Sequence, residues 1–203
     1  RLTARINTVK VSIEDCLKEL QNLGWTVEQD KDIPEVVYID SHQGHLENAK
    51  PVIEGHITFM DKASMLVAHV VDPQPGDRIL DCCAAPGGKS MHMASLINNT
   101  GAIMSCDIYD HKLDLMNQNA ERLGVSIVST KLQDGRYLPD NWKEQFDRVL
   151  VDAPCSGLGI LQKKLDMRWR KTEDLLNELP PLQLEILEKA SEMVKVNGYL
   201  VYS

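Results

Sequence analysis

RILDCCAAPGGKS, residues 78–90, is the stretch that decides the fold of this chain. Ile79 and Leu80 close a short apolar run, a loop of small residues with two adjacent glycines follows, and a helical pattern opens near Lys89. Strand, glycine-rich turn and helix in that order bring backbone N–H groups up to a ligand at a helix N-terminus. Gly87 and Gly88 offer no Cβ to block such a ligand, and Pro86 stiffens the turn without an N–H that needs a partner. The turn is not G-x-G-x-x-G, so the dinucleotide fingerprint is not met. Nineteen residues after Gly88, Asp107 ends the next apolar run, where an acid reaches ribose hydroxyls. With Asp134 and Asp152 ending later segments, the pattern describes a cleft for a nucleotide-like cofactor against Cys83, Ala84, Ala85, Pro86, Gly87, Gly88 and Lys89.

Downstream, strand-like and helix-like segments alternate. Strands are expected over 78–81, 102–106, 125–130 and 148–151, and helices over 89–97 and 111–123, the second with Leu113, Met116, Ala120 and Leu123 on one face. A long amphipathic helix over 182–196 and a turn at Asn197-Gly198 lead into a last strand. Such alternation predicts an α/β domain with a mostly parallel sheet covered on both faces and ligands at the carboxyl ends of its strands. Asp81, Asp107, Asp134 and Asp152 all stand at or just past such ends.

Upstream, residues 1–50 read as a small α/β appendage. A strand over 2–6 precedes a helix capped by Ser12, with Asp15 at the capping-box position and Ile13, Cys16, Leu17, Leu20 and Leu23 on one face. Gly24 stops that helix, a strand follows over 36–39, and 42–50 reads as a polar loop. Residues 59–71 read as a helix entered through Asp61, with Met65, Leu66, His69 and Val70 on its buried side. His69 has no second ligand at a metal spacing, so no metal is expected. The chain thus divides into 1–50 and a main domain, 51–203. Because it starts at Arg1 and ends in what reads as an unfinished strand, it is expected to be a piece of a longer protein.

At 43% hydrophobic and 26% charged, 203 residues suit one globular domain with an appendage. No apolar run approaches the roughly 18 residues a membrane helix needs. Cys16, Cys82, Cys83, Cys106 and Cys155 are odd in number and lack paired C-x-x-C spacing, which argues for a reducing, cytoplasmic setting without disulfides. The net charge of −8 opposes a coat for nucleic acid. Two basic groups run against it: Lys163, Lys164, Arg168, Arg170 and Lys171 beside a single acid, Asp166, and Arg1, Arg5 and Lys10. Each fits a phosphate contact as well as it fits solvated surface charge.

DCCAAPGGKS, followed by LVDAPCSGLG at residues 150–159, resembles the Nop/Sun (RsmB-type) family of RNA cytosine-5 methyltransferases. Both motifs are long and occur in that family's order, and MRW at 167–169 leans toward the bacterial small-subunit ribosomal RNA branch. The resemblance implies a Rossmann-like methyltransferase that uses S-adenosylmethionine. It places the cofactor on residues 83–89, the ribose on Asp107 and the adenine amino group on Asp134, with Asp152 beside them. A turn-stabilising role before Gly135 is the alternative for Asp134, and the agreement of the two motifs favours the cofactor role. The resemblance also implies ribosomal RNA as partner, with Arg5 and Lys10 in an RNA-binding appendage and Lys163, Lys164 and Arg168 beside the cleft.

Carbon 5 of cytosine is a poor nucleophile. A thiolate added at carbon 6 makes it enamine-like and able to take a methyl group; a base then removes the carbon-5 proton and the thiol leaves. Cys155, in a loop after Asp152-Ala153-Pro154, suits that chemistry, and Asp152 can hydrogen-bond the ring at N3. Cys82, Cys83 and Cys106 read as inert core, a reading open to Cys155 as well. In the family resembled, the attacking cysteine belongs to a Thr-Cys pair directly after the last strand, and the Pro-Cys cysteine helps release product. Cys155 then takes the release role, and the attacking cysteine is expected beyond Ser203. A nicotinamide-dependent oxidoreductase would share Asp107 but needs G-x-G-x-x-G and has no use for DAPC. A non-catalytic RNA-binding module would not need the cofactor residues.

Overall fold

The computed structural model describes residues 1–155 and 173–203, without the side chains of 173–176. The first residues form an antiparallel sheet in the order β2-β3-β1-β4, made of β1 (Leu2–Ile6), β2 (Thr26–Gln29), β3 (Val36–Ser41) and β4 (Ile57–Phe59). Helix α1 (Ile13–Asn22) lays Cys16 and Leu20 on Ile6, Val37, Ile39 and Ile57. Ser12 caps it, its Oγ accepting from the Asp15 N–H at 3.1 Å. Leu23, expected on the buried face, lies past the last helical residue and is exposed. The expected loop over 42–50 holds a 3-10 turn, Leu46–Asn48, and leads into a one-turn helix, α2 (Lys50–Ile53).

Strands β2 and β4 were not expected. TVEQ and ITF are too short to show a period and become strands only by pairing, β2 with β3 and β4 with β1. Because Thr58 stands opposite Arg5, the small sheet reaches Phe59, and the border expected at 50/51 falls inside it.

The main sheet is parallel throughout, in the order β7-β6-β5-β8-β9. It comprises β5 (Arg78–Asp81), β6 (Ala102–Asp107), β7 (Val128–Leu132), β8 (Phe146–Val151) and β9 (Val194–Tyr202). Alternating side chains feed two cores. Ile79, Ile103 and Leu150 pack with α3 (Lys62–Val71), α4 (Gly88–Leu96) and α5 (Asp110–Leu123). Leu80, Cys106, Val149 and Val151 pack with Ile186 and Ala190 of α6 (Glu173–Ser191). Among the described residues no helix is long and apolar enough to cross a membrane.

Two expectations fail in detail. Helix α3 starts at Lys62, and its buried stripe falls on Met65, Ala68 and Val71, leaving Leu66 and Val70 exposed. The helix expected over 182–196 runs through Pro180 and Pro181 and ends at Ser191, because Val194 and Val196 are already strand. Asn197, at φ 67°, stands within β9, whose pairing with β8 shifts register between Phe146 and Arg148.

The small subdomain is tied to the C-terminal end of α5. Asn7 Nδ2 donates to the carbonyls of Gly55 and Leu123, both at 2.8 Å. Lys10 Nζ donates to those of Glu54 at 2.9 Å and Arg122 at 2.6 Å. The last carbonyls of a helix lack intrahelical donors, so these bonds satisfy groups that would otherwise need water. Gly55 makes the approach possible: its φ is +74°, and a Cβ there would lie 2.2 Å from the Arg122 carbonyl oxygen. Gly55→Ala is expected to cost about 2–4 kcal/mol, combining left-handed strain with a backbone clash, read as a lower midpoint in urea unfolding.

Candidate active site

The loop from β5 into α4 is drawn tight by backbone bonds: Ala84 N–H donates to Cys106 O at 2.8 Å and Gly87 N–H to Ala84 O at 2.7 Å. Gly87, at φ 95°, is the N-cap of α4, and a Cβ on it would stand 3.1 Å from Met116 Cγ. Small residues on this loop leave the first-turn N–H groups of α4 facing the carboxyl edge of the sheet.

Asp107 closes β6 beside that loop. Its Oδ2 accepts from Ala85 N–H at 3.3 Å and its Oδ1 from Tyr109 N–H at 3.0 Å, which leaves a lone pair on each oxygen for a ligand. Asp134 follows on the next strand's end, where Gln133 N–H donates to Asp107 O at 3.0 Å. Its carboxylate accepts from Arg136 N–H at 2.9 Å and holds the Arg136 guanidinium, with Nη2 at 2.7 Å, which keeps it below the usual carboxylate range. That is the turn-stabilising geometry. Asp152, at the end of β8, pairs with Lys89 from the first turn of α4. Cys155 is exposed three residues further on.

The four acids converge. Burial first, then Asp81, Asp107, Asp152 and Asp134, push the Cys83 thiol up to about 12. Burial likewise raises Cys106 to about 12 and Cys82 well above the ordinary thiol range, so all three stay protonated at neutral pH and fit the inert-core reading. A concavity of about 350 Å³ lined by Leu23, Trp25, Gln43 and Lys50 lies in the small subdomain, away from these groups. Side-chain chemistry and not cavity size therefore marks the site.

The RNA-contact expectations fare differently. Arg5 is fully buried, its Nε, Nη1 and Nη2 without hydrogen-bond partners among the described residues. It points to the face of β1 opposite the core residues Ala4 and Ile6, buried near Glu35 and His92, and cannot meet a phosphate at the surface, which corrects that expectation. The Lys10 ammonium is engaged by its two carbonyls. Lys163, Lys164 and Arg168 lie outside the described residues.

Two features escaped sequence reasoning. His69 does have company: its Nε2 lies 2.6 Å from Glu35 Oε1, which His92 Nε2 also approaches at 2.8 Å. The three are too far apart in sequence to show as a motif. The second is Asp81, recognised as a strand end but given no role. It is 1% exposed, its Oδ2 accepts from Ser90 Oγ at 2.7 Å, and Ser105 Oγ adjoins Ser90 Oγ at 2.9 Å. Oδ1 has no partner among the described residues, and burial, with Asp152 nearby, pushes Asp81 up to about 7.

A carboxyl group whose folded pKa is raised contributes stability that is full below its unfolded value and lost as pH rises through the folded one. Asp81 thus weakens the fold between about pH 4 and about pH 7. Asp81→Asn keeps the acceptor for Ser90 and removes the charge. Thermal melts at pH 5 and pH 8 are expected to differ less in this variant than in the wild type, with the pH 8 midpoint raised by a few °C, at about 2–4 °C per kcal/mol.

A five-stranded parallel sheet with helices on both faces, a glycine turn after its central strand and acids on its carboxyl edge defines a Rossmann-like methyltransferase domain, here preceded by a small antiparallel subdomain. Residues 68–203 match the model of the 16S rRNA methyltransferase RsmB/F family, and the chain belongs to that family. It is 38% identical over 202 residues to the probable ribosomal RNA small subunit methyltransferase B of Bacillus subtilis (strain 168), covering 99% of this chain and 45% of that relative. The crystal structure of PH0851 superposes with a TM-score of 0.93 at 35% identity, covering 99% of this chain and 45% of the other. A methyltransferase homolog protein from Pyrococcus horikoshii gives 0.87 at 30% identity, covering 100% and 64%. The chain spans about half the length of the curated relatives it matches.

Proposed function

We propose that this chain carries the methyl-donor site and the release loop of an S-adenosylmethionine-dependent methyltransferase acting on carbon 5 of a cytosine in ribosomal RNA. The observation that carries the reading is the meeting of the loop 83–89 with Asp107, Asp134 and Asp152 on the carboxyl edge of the sheet, with exposed Cys155 three residues past Asp152 in the chain. The donor set fits the cofactor. Acids around Cys83 suit a ligand with a sulfonium and an ammonium group, and a side-chain-poor turn at a helix N-terminus suits its carboxylate. When bound, S-adenosylmethionine supplies an electrophilic methyl group.

The residues of this chain then have separable tasks. Asp107, held by two backbone N–H groups, receives the ribose hydroxyls. Asp134 receives the adenine amino group while remaining paired with Arg136. Asp152 accepts a hydrogen bond from cytosine N3 once that nitrogen is protonated as the thiolate adds to carbon 6, and Lys89 balances its charge. The covalent step belongs to cytosine and a thiolate. Sulfur bonds carbon 6, carbon 5 takes the methyl group as its bond to the donor sulfur breaks and leaves a neutral thioether, a base removes the carbon-5 proton, and the carbon 6–sulfur bond breaks to return the thiolate.

The division of labour between thiols is supported by the end of β9. Ser203 N–H donates to Val151 O at 2.9 Å, and Ala153 N–H to Ser203 O at 3.1 Å. A Thr-Cys pair directly after Ser203 would emerge against the Asp152–Cys155 loop, with one thiol for attack and Cys155 for release. Lys163, Lys164 and Arg168 are assigned to RNA phosphates beside that loop.

Calorimetric titration of the 203-residue chain with S-adenosylmethionine is expected to show binding, weakened by about 1–3 kcal/mol in Asp107→Ala. Binding of NAD and none of S-adenosylmethionine would overturn the reading. For the release step, a protein extended through the Thr-Cys pair and carrying Cys155→Ala is expected to accumulate a covalent RNA adduct on a denaturing gel. Methyl transfer by a chain ending at Ser203, abolished by Cys155→Ala, would instead make Cys155 the attacking group.

A further inference from the structure

Six consecutive residues of α4, Ser90 to Ser95, are buried. A helix lying on a sheet ordinarily keeps one stripe in water, so something must cover its outer side. Met91, Met93 and Ala94 face the sheet, α3 and α5. The remaining side is closed by the small subdomain, through His92 against Glu35 at 2.8 Å and Ser95 Oγ against Thr8 Oγ1 at 2.8 Å.

Glu35 is itself firmly placed in the connection between β2 and β3. Asp30 shapes that connection, accepting from the N–H groups of Asp32 and Ile33 at 2.9 and 3.0 Å and from Lys62, the first residue of α3, at 2.6 Å. Glu35 Oε1 then takes His69 of α3 and His92 of α4 together. Burial opposes the charge of Glu35, but the bonds from His92 and His69 hold it down to about 2, and burial holds His92 down to about 4. His92 is therefore neutral and serves as a directional donor. The ligand atoms of Glu35, His69 and His92 lie within 4.8 Å of one another, a spacing open to a metal ion. The guanidinium of Arg5, fully buried and acting on both Glu35 and His92, already supplies the positive charge and disfavours a second cation there.

We infer that Glu35 and His92 are positioning residues for the methyl-donor turn: through them the small subdomain fixes the rotation of α4, and with it Gly87, Gly88 and Lys89. Lys89 precedes His92 by three residues, so both belong to one helical turn, and rotating one rotates the other. The inference rests on the reading of this turn as the S-adenosylmethionine site.

The test measures S-adenosylmethionine affinity of the 203-residue chain by calorimetry, well below the unfolding midpoint of every variant. His92→Phe, which keeps the ring volume and loses the donor, is expected to bind about tenfold more weakly, and His92→Gln, which restores an N–H donor, to recover to within about threefold of the wild type. Thr8→Val, which removes the second tie and spares the buried cluster, is expected to bind about threefold more weakly and serves if His92→Phe does not fold. A purely structural tie would lower the midpoint and leave affinity unchanged. Wild-type affinity in a folded His92→Phe, or in Thr8→Val in its place, overturns the positioning role while the donor site stands. Absence of binding by the wild-type chain removes the donor site and the positioning role together.

Discussion

A parallel sheet must hide both faces, and the arrangement of this chain follows from that requirement. Along β5, Ile79 and Leu80 enter different cores, and along β8, Leu150 separates from Val149 and Val151 in the same way. Helices have to lie on both sides, so each strand must hand the chain to a crossing segment at its carboxyl end. There the N-terminus of α4 and the acids at the strand ends meet. The site is the place where the crossovers begin, and its groups are rigid because the strands beneath them cannot move independently.

The acids on that edge are kept apart in character by their surroundings. Asp107 is held by backbone N–H groups, Asp134 by a guanidinium, Asp152 by an ammonium, and Asp81 by the Ser90 hydroxyl in a buried place. The Arg136 guanidinium holds Asp134 below the usual carboxylate range, whereas burial raises Asp81 toward neutrality. An overall charge of −8 is thus partly expressed as local negative potential around Cys83, which attracts a cationic ligand and repels phosphate. Any polyanionic partner has to be engaged from other parts of the surface.

Much of the main domain was legible because its signals are local and repeated. The strand at 78–81 was read to the residue, and Leu113, Met116, Ala120 and Leu123 form the buried stripe of α5 as their spacing indicated. Legibility failed where structure is made by partners distant in the chain. ITF becomes a strand only beside β1, and VKV at 194–196, which continues an amphipathic helix on paper, becomes a strand beside β8. Arg5 looked like a surface cation because nothing near it in sequence announces β3 and β4 on either side of its strand. At the site, the glycine turn and the acids were visible as residues at strand ends. The Glu35 contact to His69 and His92 was not, since they lie 34 and 57 positions away in the sequence.

Helix α5 also acts as a strut of set length. Its 14 residues rise about 21 Å at about 1.5 Å per residue. One end follows directly on the turn that Asp107 shapes through Tyr109, and the other is gripped by Asn7 and Lys10. Adding or deleting one residue would turn the gripped carbonyls by about 100° and release both side chains. The spacing between the two units is therefore set by a helix belonging to only one of them, so length changes in this chain should accumulate in its surface connections and spare α5.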